Sequence, residues 1–147
     1  MDKLIVTFDT YLNSKFNPMT FQEMHVIHQQ ILSNADTNDE DFNDCWKQII
    51  KLATKYFEFR MNWQFMSNEE KLSMDPSRTA THNNLINDFI MLERIFKLNN
   101  WDSKSWTKLL FLQDEVSNRN RRELDENRKR IGDFANYLVF VGALSER

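Results

Sequence analysis

The stretch DPSRTATHNNLIND, residues 75–88, contains residue types that can do chemistry. Arg78 and His82 lie four positions apart, directly after Asp75 and a proline. An imidazole can serve as general acid or base, and a guanidinium can hold a phosphate or carboxylate through paired hydrogen bonds. The pair is therefore a candidate catalytic or binding site of a kind that needs no metal.

The pair extends the apolar stripe of a predicted helix. Leu85, Phe89, Leu92 and Phe96 step by four, three and four residues, and further steps backwards reach His82 and Arg78. Both side chains should then meet the bundle interior, as should two arginines on the apolar side of the last helix. The predicted polar pocket consists of Asp75, Arg78, His82, Arg121 and Arg128. A buried network of Arg, His and Asp that fixes helix register is the interpretation that we prefer over catalysis.

The elements around this pair are predicted to be helices. Two glycines and two prolines in 147 residues are too few for the turns of a sandwich or a Rossmann-type fold. Capping boxes at Thr20 and Ser67 indicate helix starts, and Asp75 is expected to cap a further helix with Pro76 at its first position. The predicted helices cover 1–16, 20–32, 41–66, 75–98, 103–110 and 114–144, with a short helical turn after Ser67. We predict an all-α fold, residues 1–147 forming a single-domain bundle of five or six helices with a long C-terminal helix.

The C-terminal helix is predicted to have two different halves. Residues 114–130 hold six basic and five acidic residues, a net charge of +1, which favours a solvated, salt-bridged face over a phosphate-binding stripe at Arg119–Arg130. The second half is apolar on nearly every face, which predicts a central helix. Gly132 costs this helix roughly 1 kcal/mol relative to alanine, and a close helix crossing would compensate for it.

Composition narrows the classes of function. The net charge of −3 and pI near 5.6 argue against binding to nucleic acids and against attraction to anionic membranes. The single cysteine, Cys45, precludes an intramolecular disulfide or a cysteine-based zinc cluster, and no signal peptide or 18-residue apolar run occurs. No motif for a metal, nucleotide or other cofactor is found. We expect a cytoplasmic protein without cofactors.

Two resemblances bear on the motif. The Arg78 and His82 pair resembles that of HEPN-type ribonucleases, all-helical proteins in which four to six residues separate the two, against three here. The DPSR motif with His82, together with RKRIGDFANYLVF, resembles an uncharacterised family of small helical proteins from Gram-positive bacteria and their mobile elements. The second resemblance implies that a set of residues belongs together, namely Asp75, Arg78, His82, Arg128, Gly132 and Asp133.

We predict a binding role in preference to an enzymatic one. The protein would contact a protein partner or a second copy of itself, in an accessory or regulatory role, for example as a phage- or plasmid-encoded inhibitor of a host system. The predicted interaction patch consists of Trp63, Phe65, Met66, Trp101 and Trp106, which lie near segment ends. The alternatives are a metal-independent HEPN-like RNase or toxin using Arg78 and His82, and a nucleic-acid-binding protein using Arg119–Arg130.

Overall fold

The computed structural model describes residues 19–112 and 128–145, and all regular structure within these ranges is helical. The described helices are α1 (Phe21–Asn34), α2 (Glu40–Trp63), α3 (Asn68–Leu98), α4 (Lys104–Leu110) and α5 (Arg128–Ser145). The predicted all-α class is confirmed. The helix predicted over 1–16, and the part of the C-terminal helix predicted over 114–127, lie outside the described residues. Within the described ranges, no helix has the length and apolar character needed to cross a membrane.

Side-chain caps start three of the helices. The Thr20 hydroxyl accepts from the Glu23 amide at 3.1 Å while the Glu23 carboxylate accepts from the Thr20 amide at 3.3 Å, so the first predicted capping box is confirmed. Asp39 caps α2 by accepting from the Phe42 amide at 2.9 Å. Ser67 opens α3 with a second capping box, since its hydroxyl accepts from the Glu70 amide at 3.1 Å. These bonds satisfy amides that have no partner inside the helix.

The prediction of a new helix at Asp75 and Pro76 is wrong. Helix α3 runs for 31 residues from Asn68, with Pro76 inside it. Proline has no N–H to donate to the carbonyl four residues earlier, that of Leu72. The Leu72 side chain is exposed, so water can reach this part of the helix and hydrogen-bond the freed carbonyl. Asp75 consequently lies in the third turn of a helix and does not cap one.

The core of the described residues is a single cluster to which every described helix contributes. Ile27, Ile49, Phe89, Trp106 and Phe134 represent α1 to α5 in it. Helix α5 packs against all four of the other described helices, most extensively against α2. Its residues 130–138 are all buried, so it has no solvent-facing side there. The predicted central position of this helix is confirmed.

At Gly132, α5 is in close contact with the Tyr56 side chain of α2. A Cβ atom on Gly132 would lie 2.7 Å from Tyr56 Oη and 3.0 Å from Tyr56 Cε1. The missing side chain therefore lets the Tyr56 ring lie against the α5 backbone. This close crossing explains why a residue that weakens an isolated helix occurs inside the central one.

We predict opposite effects for alanine at the two glycines of α5. Gly142→Ala should stabilise the protein by about 0.5–1 kcal/mol, because no atom lies within 4 Å of the added Cβ and alanine is the better helix former. Gly132→Ala should destabilise it by about 1–3 kcal/mol, because the buried Tyr56 ring must move. Urea unfolding measures both free energies. Adding Tyr56→Phe should recover part of the loss in Gly132→Ala, and equal stabilisation at the two glycines would contradict the role given to this contact.

Candidate anion-binding site

A cavity of about 150 Å³ lies where α2, α3 and the beginning of α5 meet. Its lining residues are Tyr56, Arg78, Thr79, His82 and Lys129. The wall thus combines a guanidinium, an imidazole and an ammonium group with two hydroxyl groups. All of these can donate hydrogen bonds, which makes the cavity suited to an oxyanion such as phosphate or carboxylate.

Two contacts, one with Asp75 and one with the Trp63 ring, hold the Arg78 side chain in place. Its Nη2 donates to Asp75 Oδ1 at 2.9 Å, and its guanidinium carbon lies 4.2 Å from the centre of the Trp63 ring. The arginine and aspartate side chains are 33% and 50% exposed, and both belong to α3. This described pair lies within one helix and does not by itself fix the register of two helices, so a register-fixing network that also includes His82 stays a prediction.

His82 and Tyr56 form the inner part of the site. Both are buried, and their ring centres are 5.3 Å apart at a tilt of 54°. Tyr56 also lies against Gly132, so one side chain connects α2 with α3 and with α5. His82 therefore points inward as the apolar stripe predicted, and it does so beside the cavity.

The beginning of α5 adds Lys129 to the site. Lys129 is exposed and lines the cavity next to Arg128, whose side chain lies outside what the structure describes, as does the whole of Arg121. The membership of these two arginines in the pocket stays a prediction. Arg130, which follows Lys129 in the chain, is buried and points away from solvent.

Arg130 does not belong to the solvated, salt-bridged face that was predicted for residues 114–130, because its side chain is buried. Its Nε donates to the Leu110 carbonyl at 3.2 Å, its Nη2 donates to the Leu109 carbonyl, and Nη2 lies 3.4 Å from Glu23 Oε2. The guanidinium thus satisfies carbonyls at the C-terminal end of α4, where a helix favours positive charge. Arg130 is not available to a nucleic-acid phosphate, whereas Lys129 of the proposed stripe is exposed and residues 119–127 lie outside the described ranges.

Polar side chains continue along α5 behind the cavity. Asp133 and Asn136 lie one helical turn beyond Lys129 and Gly132, and both are buried. Among the described residues, Asp133 Oδ2 and both amide atoms of Asn136 have no hydrogen-bond partner. Burial raises the pKa of Asp133 from 3.8 to about 7, because the charged carboxylate loses its hydration.

The residues of the predicted interaction patch do not lie together. Trp63, Phe65 and Met66 lie at the turn between α2 and α3, whereas Trp101 follows the far end of α3, about 45 Å away along a 31-residue helix. Trp106 is wrongly assigned to this patch, because it is fully buried with its ring 5.5 Å from that of Phe96. Phe65, by contrast, is 80% exposed.

Sequence reasoning missed three of the five described residues that line the cavity. Tyr56 lies among apolar residues of α2 and carries no separate signal, and Thr79 and Lys129 are the chain neighbours of Arg78 and Arg128, which were predicted to be in the pocket. The one available signal was Gly132, which indicates a close crossing without saying which side chain fills it. The partner helix and the residue on it are determined by tertiary packing, which no local pattern encodes.

Comparisons with known proteins add no assignment. No protein-family model, no curated protein and no solved structure matches the chain. Over residues 19–112 and 128–145, no group of three or more His, Cys, Asp or Glu side chains is arranged to hold a metal ion. The chemistry of the site must therefore be argued from the cavity itself.

We predict that Asp133 makes stability fall as pH rises. Because its pKa is raised to about 7 in the folded state, the stability that it contributes is complete below about pH 3.8 and is lost by pH 7. Asp133→Asn should match the wild type near pH 4 and exceed its free energy of unfolding by roughly 2–4 kcal/mol at pH 8.

Urea unfolding at a series of pH values measures this difference. Asp44→Asn, at an exposed position on α2, is the matched control and should show no comparable change with pH. If the difference in free energy of unfolding between the wild type and Asp133→Asn were the same at pH 4 and pH 8, that result would contradict the conclusion that the buried carboxyl is neutral.

Proposed function

We propose that the protein is a binding protein whose cavity between α2, α3 and α5 receives an anionic group of its ligand. The observation that carries this proposal is the lining of that cavity. Three basic side chains, Arg78, His82 and Lys129, converge on it from two helices, with the hydroxyls of Tyr56 and Thr79 beside them.

The arginine supports binding because its position is set before a ligand arrives. The Asp75 carboxylate accepts a hydrogen bond from Nη2 of Arg78, and the Trp63 ring covers one face of the Arg78 guanidinium. A guanidinium has five N–H donors in a fixed plane, so donors remain for a bidentate contact with phosphate or carboxylate. Little side-chain entropy then has to be lost when the anion binds.

The size of the cavity supports a single anionic group. Small-molecule pockets commonly enclose about 300–1,000 Å³. At about 150 Å³, this cavity takes one phosphate or carboxylate group with little else. The rest of the ligand would lie outside it. The setting that we propose is the cytoplasm, because a single cysteine, which cannot form an intramolecular disulfide, is typical of proteins from a reducing compartment.

A second candidate is metal-independent cleavage of a phosphodiester. It is favoured by the fact that His82 and Arg78 line the same cavity, so that an imidazole and a guanidinium can both reach one phosphate. His82 would take the proton of the ribose hydroxyl that attacks phosphorus and return a proton to the leaving ribose oxygen, so that one P–O bond forms as another breaks, and Arg78 would stabilise the charge on the non-bridging phosphate oxygens. This candidate requires turnover, whereas the first requires binding alone.

We expect inorganic phosphate to bind at this cavity and to perturb the NMR signals of Tyr56, Thr79 and His82. Arg78→Gln and Lys129→Gln should each weaken binding about tenfold, the effect of losing one charge-assisted hydrogen bond. Arg94→Gln, at an exposed position on the same helix as Arg78, is the matched control and should bind phosphate as the wild type does. Signals that shift equally in all variants, or no saturable shift, would refute the site.

Ribonuclease activity has its own test. If the second candidate is correct, purified protein without added metal should cleave a single-stranded RNA, and His82→Ala should lower the rate constant by at least a hundredfold. Arg94→Gln should cleave at the wild-type rate. Cleavage that persists in His82→Ala, or no cleavage by the wild type, would leave binding as the function.

A further inference from the structure

We infer that the ligand is a polypeptide segment that places one acidic group in the cavity and apolar side chains on the adjoining turn between α2 and α3. This inference rests on the proposed function and names the ligand class. It concerns an apolar surface that we define by four residues, Trp63, Phe65, Met66 and Leu72.

The first observation is exposed apolar area beside the cavity. Phe65 is 80% exposed and Leu72, seven positions later in the chain, is 78% exposed, values that are unusual for two apolar side chains of this size in one short stretch. Trp63 and Met66, the other two residues of this surface, are partly exposed. Aromatic and methionine side chains are enriched in protein interfaces, whereas isolated exposed leucines need no explanation.

The second observation is that this apolar surface and the cavity are continuous. Trp63 belongs to the surface, and its ring contacts the guanidinium of Arg78, which lines the cavity. Leu72 lies seven residues before Thr79 on α3, which is two helical turns along the same stripe. The distance along the helix is about 10 Å, and an extended chain covers it in about three residues. One short segment can therefore reach both features.

The third observation is the charge on α3 between its first residue and Pro76, the stretch that leads from the apolar surface to the cavity, where three carboxylates outnumber the single ammonium group of Lys71. Glu69 and Glu70 lie in the first turn of α3, and Asp75 lies beside Arg78. A nucleic-acid strand or an anionic membrane presents many negative charges and would be repelled by these carboxylates. A polypeptide can present a single acidic group and place neutral or basic residues against them. The size of the cavity agrees with this, since one carboxylate or phosphate fills it.

These observations together define the segment. It carries an acidic side chain about three positions from an apolar one, with no further acidic residues between them. The acidic group meets Arg78 and Lys129, and the apolar side chain covers Phe65 and Leu72. The pairing of one buried charge with adjacent apolar contacts gives such an interface both its specificity and its affinity.

The test is selection from a library of random twelve-residue peptides displayed on phage, using the immobilised full chain. We expect enriched peptides to share an Asp or Glu two to four positions from Leu, Ile, Phe or Trp. Synthetic copies should bind roughly tenfold more weakly to Phe65→Ser and Leu72→Ser, and at least tenfold more weakly to Arg78→Gln. Leu98→Ser is the matched control, because Leu98 is 84% exposed at the other end of α3, and it should bind as the wild type does.

Circular dichroism should show unchanged helix content in all four variants, since each substitution is at an exposed or partly exposed position. Parallel selections use a random RNA pool and vesicles containing phosphatidylglycerol. Enriched peptides without an acidic residue, no enrichment, peptide binding unchanged in Phe65→Ser and Leu72→Ser, or retention of RNA or vesicles that depends on Phe65 would overturn the inference. Phosphate binding at Arg78 would still stand in each case, so failure of this inference and failure of the proposed function are distinguishable.

Discussion

The contact between Tyr56 and Gly132 is the constraint on which the central part of this structure depends. One aromatic ring packs against the bare backbone of α5 and, at the same time, against the His82 ring of α3. Three helices therefore meet at one side chain. Because the ring lies over a residue without a Cβ, α2 and α5 come close enough for Tyr56 and Lys129 to line one cavity with His82. The position of the site thus follows from a packing contact that involves no charge.

The central position of α5 explains the unusual state of its polar residues. A helix with no solvent-facing side must either satisfy its polar groups internally or neutralise them. The Arg130 guanidinium is satisfied internally, because carbonyls at the end of α4 and the Glu23 carboxylate accept from it. Asp133 has no such donor among the described residues, and its raised pKa shows the other outcome, a carboxyl that holds its proton near neutral pH. Two adjacent turns of one helix thereby show both ways of burying an ionisable side chain.

The parts of this fold that sequence could predict are those with a local cause. The capping boxes predicted at Thr20 and Ser67 are confirmed, and they could be predicted because each depends on two residues three positions apart. The inward direction of His82 followed from the spacing of apolar residues. The prediction that a helix starts at Pro76 was wrong. Proline is favoured at the first position of a helix, but here it lies inside a helix whose preceding turns are largely exposed to water. The prediction that Trp106 belongs to the interaction patch was wrong for another reason. A tryptophan near a segment end can be a surface anchor or a core residue, and only packing against Phe96 decides between them.

Arg78 and His82, which are adjacent on one stripe of α3, have different roles because their burial differs. His82 is enclosed and lies against Tyr56, so its removal would disturb the junction of three helices as well as the cavity. Arg78 is partly exposed, and a salt bridge as exposed as its pair with Asp75 contributes only about 0–1 kcal/mol. An interaction that weak orients the guanidinium without opposing an incoming anion, whose charge-assisted hydrogen bonds are stronger. Asp75 and Trp63 therefore hold Arg78 ready at the edge of the cavity, and binding can proceed without rearranging the core that His82 helps to form.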